Sequence, residues 1–365
     1  MPANGDAAEH AAAAGLRHVS DTDPGIHRLG TAPRFRYVDA DGAPVRDRDT
    51  LDRIRMLAIP PAYTDVWICP DPRGHLQATG RDARGRKQYR YHPRWRNVRG
   101  EGKFARVVAF GEALPRLRRA LRRDLALPGY PREKVLAIVV AVMEETLLRV
   151  GNDEYARSNR SYGLTTLRNQ HVAFLHGGRA RFRFRGKSGQ QMDVVLDDGR
   201  LARLLRRCQQ LPGQALFQYV DDDGTVQPVD SGLVNDYLRT AMGGEFTAKD
   251  FRTWGATLGA FRRLAATPLP RPWREGEPPS QRSLAIVEKG VVEDVAAMLG
   301  NTPTVCRNSY IDPAVFAGWR DGRLQKTAAG ATGERQWEHA ALRFLRAARR
   351  ETRHRKSKAA RGSPR

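Results

Sequence analysis

The chain has 365 residues, with 63 Lys and Arg against 40 Asp and Glu, a net charge of +23 and a pI near 10.8. That length allows two domains with substantial cores, and that charge points to a polyanion, because each neutralised phosphate releases counterions. No apolar run reaches helical membrane-spanning length, and Cys69, Cys208 and Cys306 stand too far apart for a zinc site or a disulfide framework, which favours a reducing cytosol.

Residues 1–20 read as a disordered leader; Glu9 and His10 interrupt the alanines, and no basic region precedes them, so no signal peptide is expected. Residues 21–100 read as a small β-rich domain. Arg34 to Val38 alternates and meets the turn signal Asp41-Gly42. Val66 to Pro70 and the segment from Leu76 are further strands, and Thr50 to Leu57 forms a turn or two of helix.

Residues 101–325 read as a mainly helical domain. Glu133 to Arg149 is apolar nearly all round, as a central buried helix requires. Arg181 to Arg185, the turn Gly186-Lys187-Ser188-Gly189 and Met192 to Leu196 form a β-hairpin. Thr247 to Asp250 is a capping box opening a helix to about Ala266. A helix from about Gln281 to Leu299 ends at Gly300, and Thr302-Pro303 starts a short helix carrying Tyr310. Residues 326–365 read as a basic helix, with Trp337, Ala340, Leu342 and Leu345 facing the catalytic domain. That helix is expected to dissolve into a flexible polybasic arm holding Arg349, Arg350, Arg353, Arg355, Lys356, Lys358 and Arg361.

The chemistry lies in widely spaced residues. Arg149 closes the apolar helix, Lys187 tips the hairpin, Arg252 sits early in its helix, and Asn301 precedes Tyr310 by nine residues. A phenol, two guanidiniums, an ammonium and a neutral donor suffice for metal-free phosphodiester transesterification. Each residue has an ordinary alternative: Tyr310 a half-buried core residue, Arg149 a helix C-terminal cation, Lys187 a solvated hairpin tip, Asn301 a turn residue. Lys249 and Arg252 share a helix face near an N-terminus, beside Phe251 and Trp254, which suits a phosphate. Gly186-Lys187-Ser188 imitates a P-loop, but Arg181 stands where that motif needs glycine.

In their order these residues reach a known pattern. Over about residues 25–320 the chain resembles the poxvirus-like and bacterial type IB DNA topoisomerases. The resemblance is carried by Gly80 to Tyr91, Tyr162 to Asn169, Lys249 to Thr253 and Ser309 to Pro313. It implies that Arg149, Lys187 and Arg252 are catalytic cations and Tyr310 the nucleophile, with Asn301 where the pattern has histidine and Lys249 as an accessory phosphate contact. The implied reaction joins Tyr310 to a 3′ phosphate, lets the free 5′ end rotate and then reseals it, with no nucleotide, metal or other cofactor. It relaxes positive and negative supercoils alike. The implied architecture is an α+β, C-shaped clamp on double-stranded DNA. Arg81, Lys87, Gln88, Tyr89 and Tyr91 contact the duplex from the β-rich domain, by phosphate contact and some groove reading. A cytoplasmic, nucleoid-associated monomer is expected.

A tyrosine recombinase or integrase shares the Arg, Lys, Arg, Tyr chemistry. It is disfavoured by the β-rich amino-terminal part and by Lys249 where recombinases carry histidine. A non-catalytic nucleoid protein would leave Tyr310 and Lys187 without a role. Asp221-Asp222-Asp223-Gly224 reads as an acidic turn and not a nuclease metal cluster.

Overall fold

A computed structural model describes residues 8, 11–12, 14–83, 85–221, 223–271 and 277–361. The chain divides into two compact units, Met1–Phe104 and Ala105–Arg365. The first is β-rich and the second mainly helical, as expected.

In the first unit, β1 (Ile26–Leu29), β2 (Arg36–Val38), β3 (Thr64–Ile68), β4 (Leu76–Arg81) and β5 (Lys87–Tyr91) form an antiparallel sheet in the order β2-β1-β3-β4-β5. The helix α1 (Arg48–Met56) opens at Asp47, whose carboxylate accepts the Thr50 amide. It drops Ile54 onto Ile26, Val66, Ile68 and Ala78, which form the core of this unit. The expected leader is corrected in its second half. Residues 1–7, 9, 10 and 13 lie outside the described residues, but Ala11 and Leu16 are buried against Trp95, and the Val19 amide donates to His75 at 3.1 Å. So short an apolar segment carries no periodicity to read.

The boundary between the units falls within α2 (Pro93–Leu125). Beyond it, α3 (Arg132–Thr146) is buried along almost its whole length and forms the centre of the second unit. After α4 (Asp153–Asn159) comes a three-stranded antiparallel sheet of β6 (Val172–Leu175), β7 (Arg179–Arg185) and β8 (Gln191–Leu196). In β7 the aromatic side chains of Phe182 and Phe184 turn inward while Arg183 and Arg185 turn out, the period of two that marks a half-buried strand. Helix α5 (Gly199–Gln209), the hairpin of β9 (Gln218–Val220) and β10 (Val226–Pro228), and α6 (Ser231–Met242) follow. Asp222 lies outside the described residues.

The remaining helices are α7 (Ala248–Ala266), α8 (Gln281–Leu299), α9 (Pro303–Ser309), α10 (Pro313–Arg320), α11 (Arg323–Ala328) and α12 (Glu334–Arg361). The expected capping box opens α7, with Asp250 accepting the Thr247 amide at 2.8 Å. Helix α12 packs by Ala340, Leu342, Phe344 and Leu345, all buried. Phe344 lies across Gly318, where an added Cβ would come within 2.1 Å of its ring, so α10 and α12 meet only because residue 318 has no side chain. Glu338 accepts both terminal nitrogens of Arg118, at 2.8 and 2.7 Å. The expected dissolution into an arm is also corrected: the backbone is helical to Arg361, and residues 362–365 lie outside the described residues.

Candidate active site

The site begins where α3 ends. The apolar run was expected to continue helically to Arg149, but the helix stops at Thr146, and Leu147 adopts a left-handed backbone at φ 53°, ψ 21°. Its amide still donates to Met143, while its carbonyl turns toward α7 and accepts a hydrogen bond from Arg252. Gly255 makes room for this turn: a Cβ there would lie 2.5 Å from a Leu147 methyl.

Arg252 is only 3% exposed. Besides Leu147 it donates to the Leu299 carbonyl at 2.8 Å, so it is held by the last carbonyls of two helices. Its guanidinium carbon lies 5.3 Å from the centre of the Tyr310 ring. Burial first, and then the positive charge of Arg149, pull the Arg252 pKa down to about 10, against the support of a Tyr310 hydrogen bond. Arg149 is also lowered, by burial. It donates to the Gly300 carbonyl at 3.2 Å and to Oδ1 of Asn301.

Gly300 ends α8 in the left-handed region at φ 58°, and the Asn301 amide returns to the Ala296 carbonyl at 2.9 Å. With Oδ1 occupied by Arg149, Nδ2 of Asn301 is buried with no protein partner, and so is Nε of Arg252. Orphaned buried donors are rare in folded proteins. An anionic oxygen is one group that could satisfy such donors, and the Arg252 guanidinium stands 5.3 Å from the centre of the Tyr310 ring.

Tyr310, half-buried, follows α9, which opens with Thr302 as N-cap and Pro303 in its first turn. The Tyr310 amide donates to Cys306 at 2.9 Å, and its carbonyl accepts the Thr257 hydroxyl at 3.1 Å. The same hydroxyl accepts the Asp312 amide at 3.2 Å. Asp312 is fully buried, caps α10 by accepting the Ala314 amide at 3.0 Å, and pairs with Arg349 of α12. That pairing corrects the expectation that Arg349 belongs to a flexible arm. Glu288, 2% exposed, accepts Arg307 at 2.7 Å and Arg320 at 2.6 Å, tying α9 and α10 to α8.

Lys187 is exposed in the turn between β7 and β8, whose pairing runs to Arg185 opposite Gln191. The hairpin abuts the Asn301 corner: a Cβ on Gly300 would lie 2.7 Å from the Met192 sulfur and 3.9 Å from Cδ of Gln190. The segment Tyr162–Asn169 straps hairpin and arginine together. Its Tyr162 amide donates to Arg185 at 2.8 Å and its Leu164 amide to the Arg149 carbonyl at 2.8 Å. Gly163 permits that approach, since a Cβ there would lie 2.6 Å from the Gly151 backbone. Tyr310, Arg252, Arg149 and Asn301 thus form one connected network, with Lys187 on the adjoining hairpin. Lys249 is exposed in the first turn of α7.

The model of the eukaryotic DNA topoisomerase I catalytic core matches residues 92–317. The DNA topoisomerase 1B of Acanthamoeba polyphaga mimivirus is 33% identical over 291 residues, covering 79% of this chain and 85% of its own length. This chain belongs to the type IB DNA topoisomerases. The bacterial DNA topoisomerase IB N-terminal domain matches residues 34–82. The vaccinia virus (strain Copenhagen) DNA topoisomerase 1B and the monkeypox virus DNA topoisomerase I are each 21% identical over 290 residues, 75% of this chain and 83% of theirs.

In the first unit of this topoisomerase, the other candidate contacts fall on the β4–β5 hairpin, with Arg81 opposite Lys87 and Gly80 opposite Gln88. Lys87 pairs with Asp21, Arg81 with Asp65 at 3.4 Å, and Arg86 with Asp82 at 2.7 Å. Gln88 donates to Asp82 at 3.0 Å. Tyr89, 48% exposed, stacks on Tyr91 with ring centres 5.9 Å apart. Arg84 of the same motif lies outside the described residues.

Sequence reasoning missed Leu147, Thr257, Glu288, Asp312 and Arg349 as supports of the site. Asp312 lay within the Ser309 to Pro313 motif, and Glu288 is the one buried acid of a helix whose other buried positions are apolar, with nothing in the sequence to separate it from the exposed Glu293 and Asp294. Arg349 looked like every neighbouring arginine.

Proposed function

We propose that Tyr310 is the nucleophile of this type IB topoisomerase, and that Arg149, Arg252 and Asn301 hold the scissile phosphate. The reading is carried by two buried, unpartnered donors: Nε of Arg252, whose guanidinium stands 5.3 Å from the centre of the Tyr310 ring, and Nδ2 of Asn301, whose Oδ1 is held by Arg149. The Tyr310 oxygen gives up its proton to solvent and attacks phosphorus, forming a 3′-phosphotyrosyl bond. The bond from phosphorus to the 5′ oxygen breaks, and Lys187 protonates that oxygen. Guanidiniums and the amide stabilise the charge that gathers on the phosphorane, the task a metal performs elsewhere. The severed end rotates about the intact strand, and the 5′-hydroxyl then reverses the step. The ester conserves the bond energy, so relaxation is ATP-independent and acts on both signs of supercoil.

In this reading residues 21–100 bind DNA through Arg81, Lys87, Gln88, Tyr89 and Tyr91, with Lys249 as a further phosphate contact. Residues 101–325 carry the chemistry, and the two domains close on a duplex as a C-shaped clamp. A monomer in the bacterial cytoplasm, associated with the nucleoid, accords with the +23 charge and three buried free thiols. The test is relaxation of positively and negatively supercoiled plasmid in EDTA without nucleotide. Wild type is expected to relax both, and Tyr310→Phe neither, while still binding DNA. An absolute magnesium requirement, or covalent attachment through a 5′ phosphate, would overturn the mechanism.

A further inference from the structure

Helix α12 lies beyond residues 92–317, the stretch matched by the catalytic core, yet it reaches the segment that carries Tyr310. It is pinned along its length to the rest of its unit. Glu338 holds Arg118, Arg346 donates to Glu112 at 2.6 Å, and Glu351 pairs with Arg323. Between these pins Arg349 enters the protein and meets Asp312, whose side chain is 0% exposed. From Asp312 the connection to Tyr310 is short. Its amide donates to the Thr257 hydroxyl, which in turn donates to the Tyr310 carbonyl. Two hydrogen bonds through one threonine therefore join the paired aspartate to the backbone of the tyrosine.

We propose that Arg349 is a positioning residue for the nucleophile: through its ion pair with Asp312, α12 sets the backbone at Tyr310 so that the phenol faces the phosphate. This rests on the reading of Tyr310 as nucleophile. A buried carboxylate is tolerated where a charge partner compensates it. Without Arg349, Asp312 is driven toward water, and Tyr310, two residues away and sharing Thr257, moves with it. Attack needs the phenol close to the phosphorus and aligned with the leaving oxygen, and a misplacement of about 1 Å can cost about 10²-fold in rate.

Single-turnover cleavage at saturating DNA tests this on the full-length chain, with rates normalised to the fraction competent to bind DNA. Arg349→Met is expected to slow cleavage by about 10²-fold with Kd unchanged, and Arg349→Lys to recover part of the loss. A 5′-phosphorothiolate at the scissile bond is expected to give no rescue, because attack and not leaving-group protonation is impaired. The double variant Asp312→Asn with Arg349→Met should recover Tm, since no uncompensated charge stays buried, yet still cleave slowly. Wild-type cleavage by Arg349→Met, rescue by the phosphorothiolate, or recovery of rate in step with Tm would each overturn the proposal. Tyr310→Phe serves as a separate arm. Cleavage by that variant brings down the nucleophile itself, whereas an inert Tyr310→Phe beside a fast Arg349→Met overturns only the positioning role.

Discussion

Arg252 faces the ring of Tyr310 at 5.3 Å while its terminal nitrogens are held by the carbonyls of Leu147 and Leu299. Two helix ends therefore fix one guanidinium before any substrate arrives. Its orientation requires no reorganisation during the reaction, the condition under which electrostatic stabilisation is most effective.

The first prediction concerns that orientation. Lysine in place of Arg252 keeps the charge but cannot reach two carbonyls and a phosphate together from one compact ammonium. Arg252→Lys should slow single-turnover cleavage by about 10²–10³-fold, nearly as much as Arg252→Ala. Close to wild-type cleavage by the lysine variant would reduce Arg252 to a point charge.

The same residue sets an alkaline limit. Burial and Arg149 hold the Arg252 pKa at about 10, below the ordinary arginine value. The cation is fully present below that pH and is lost above it, so cleavage should fall as pH rises through about 10. A pH–rate profile under single-turnover conditions measures this, and a rate still climbing there contradicts it.

Asn301 separates donor from acceptor. Its Oδ1 serves Arg149 and its Nδ2 is unpartnered. Asn301→Asp keeps the acceptor but sets a negative charge where a phosphate oxygen must sit, and should slow cleavage by about 10²–10³-fold. Asn301→His, which restores a donor, should cleave within about tenfold of wild type. Equal loss in both variants would show that packing at this corner matters and donation does not.

Lys187→Ala should lose about 10²–10⁴-fold in cleavage of an ordinary strand. A strand with a 5′-phosphorothiolate at the scissile bond should be cleaved almost normally, because a thiolate leaves without a proton. Equal slowing on both substrates would reassign Lys187 to phosphate binding.

Beyond Glu351 the basic residues of α12 have no part in the proposed chemistry. Deleting residues 353–365 should weaken DNA binding and make the salt slope shallower by about 0.9 for each phosphate that is no longer neutralised. Cleavage at saturating DNA should hardly change. A salt slope identical to wild type would mean that this end of the helix serves another purpose.

Elements with local causes were legible in the chain. The alternation in β7, the capping box at Thr247, the glycine ending α8 and the Thr302-Pro303 start of α9 each need only a few neighbouring residues. Of the four residues at Tyr310, Arg252 and Tyr310 fall in the Lys249 to Thr253 and Ser309 to Pro313 motifs, whereas Arg149 and Asn301 stand outside them and were read from their order and spacing. The break at Leu147 was not: a leucine in an apolar run carries no stop signal, and the turn depends on Gly255 and Arg252, more than a hundred residues away. Arg349 failed for the opposite reason, being one arginine in a basic run whose function depends on where the helix docks.

In the proposed reading, where the β4–β5 hairpin contacts DNA, its ion pairs bear on how tightly the duplex is held. Lys87, Arg81 and Arg86 are already engaged by Asp21, Asp65 and Asp82. A phosphate that takes one of these cations must evict a carboxylate tethered to the same protein, so part of the binding energy goes into an exchange instead of a net gain. On that reading, grip at this surface is moderated in advance. For an enzyme that must let one strand swivel within its grasp, a hold that is easily loosened has an advantage over a permanent one.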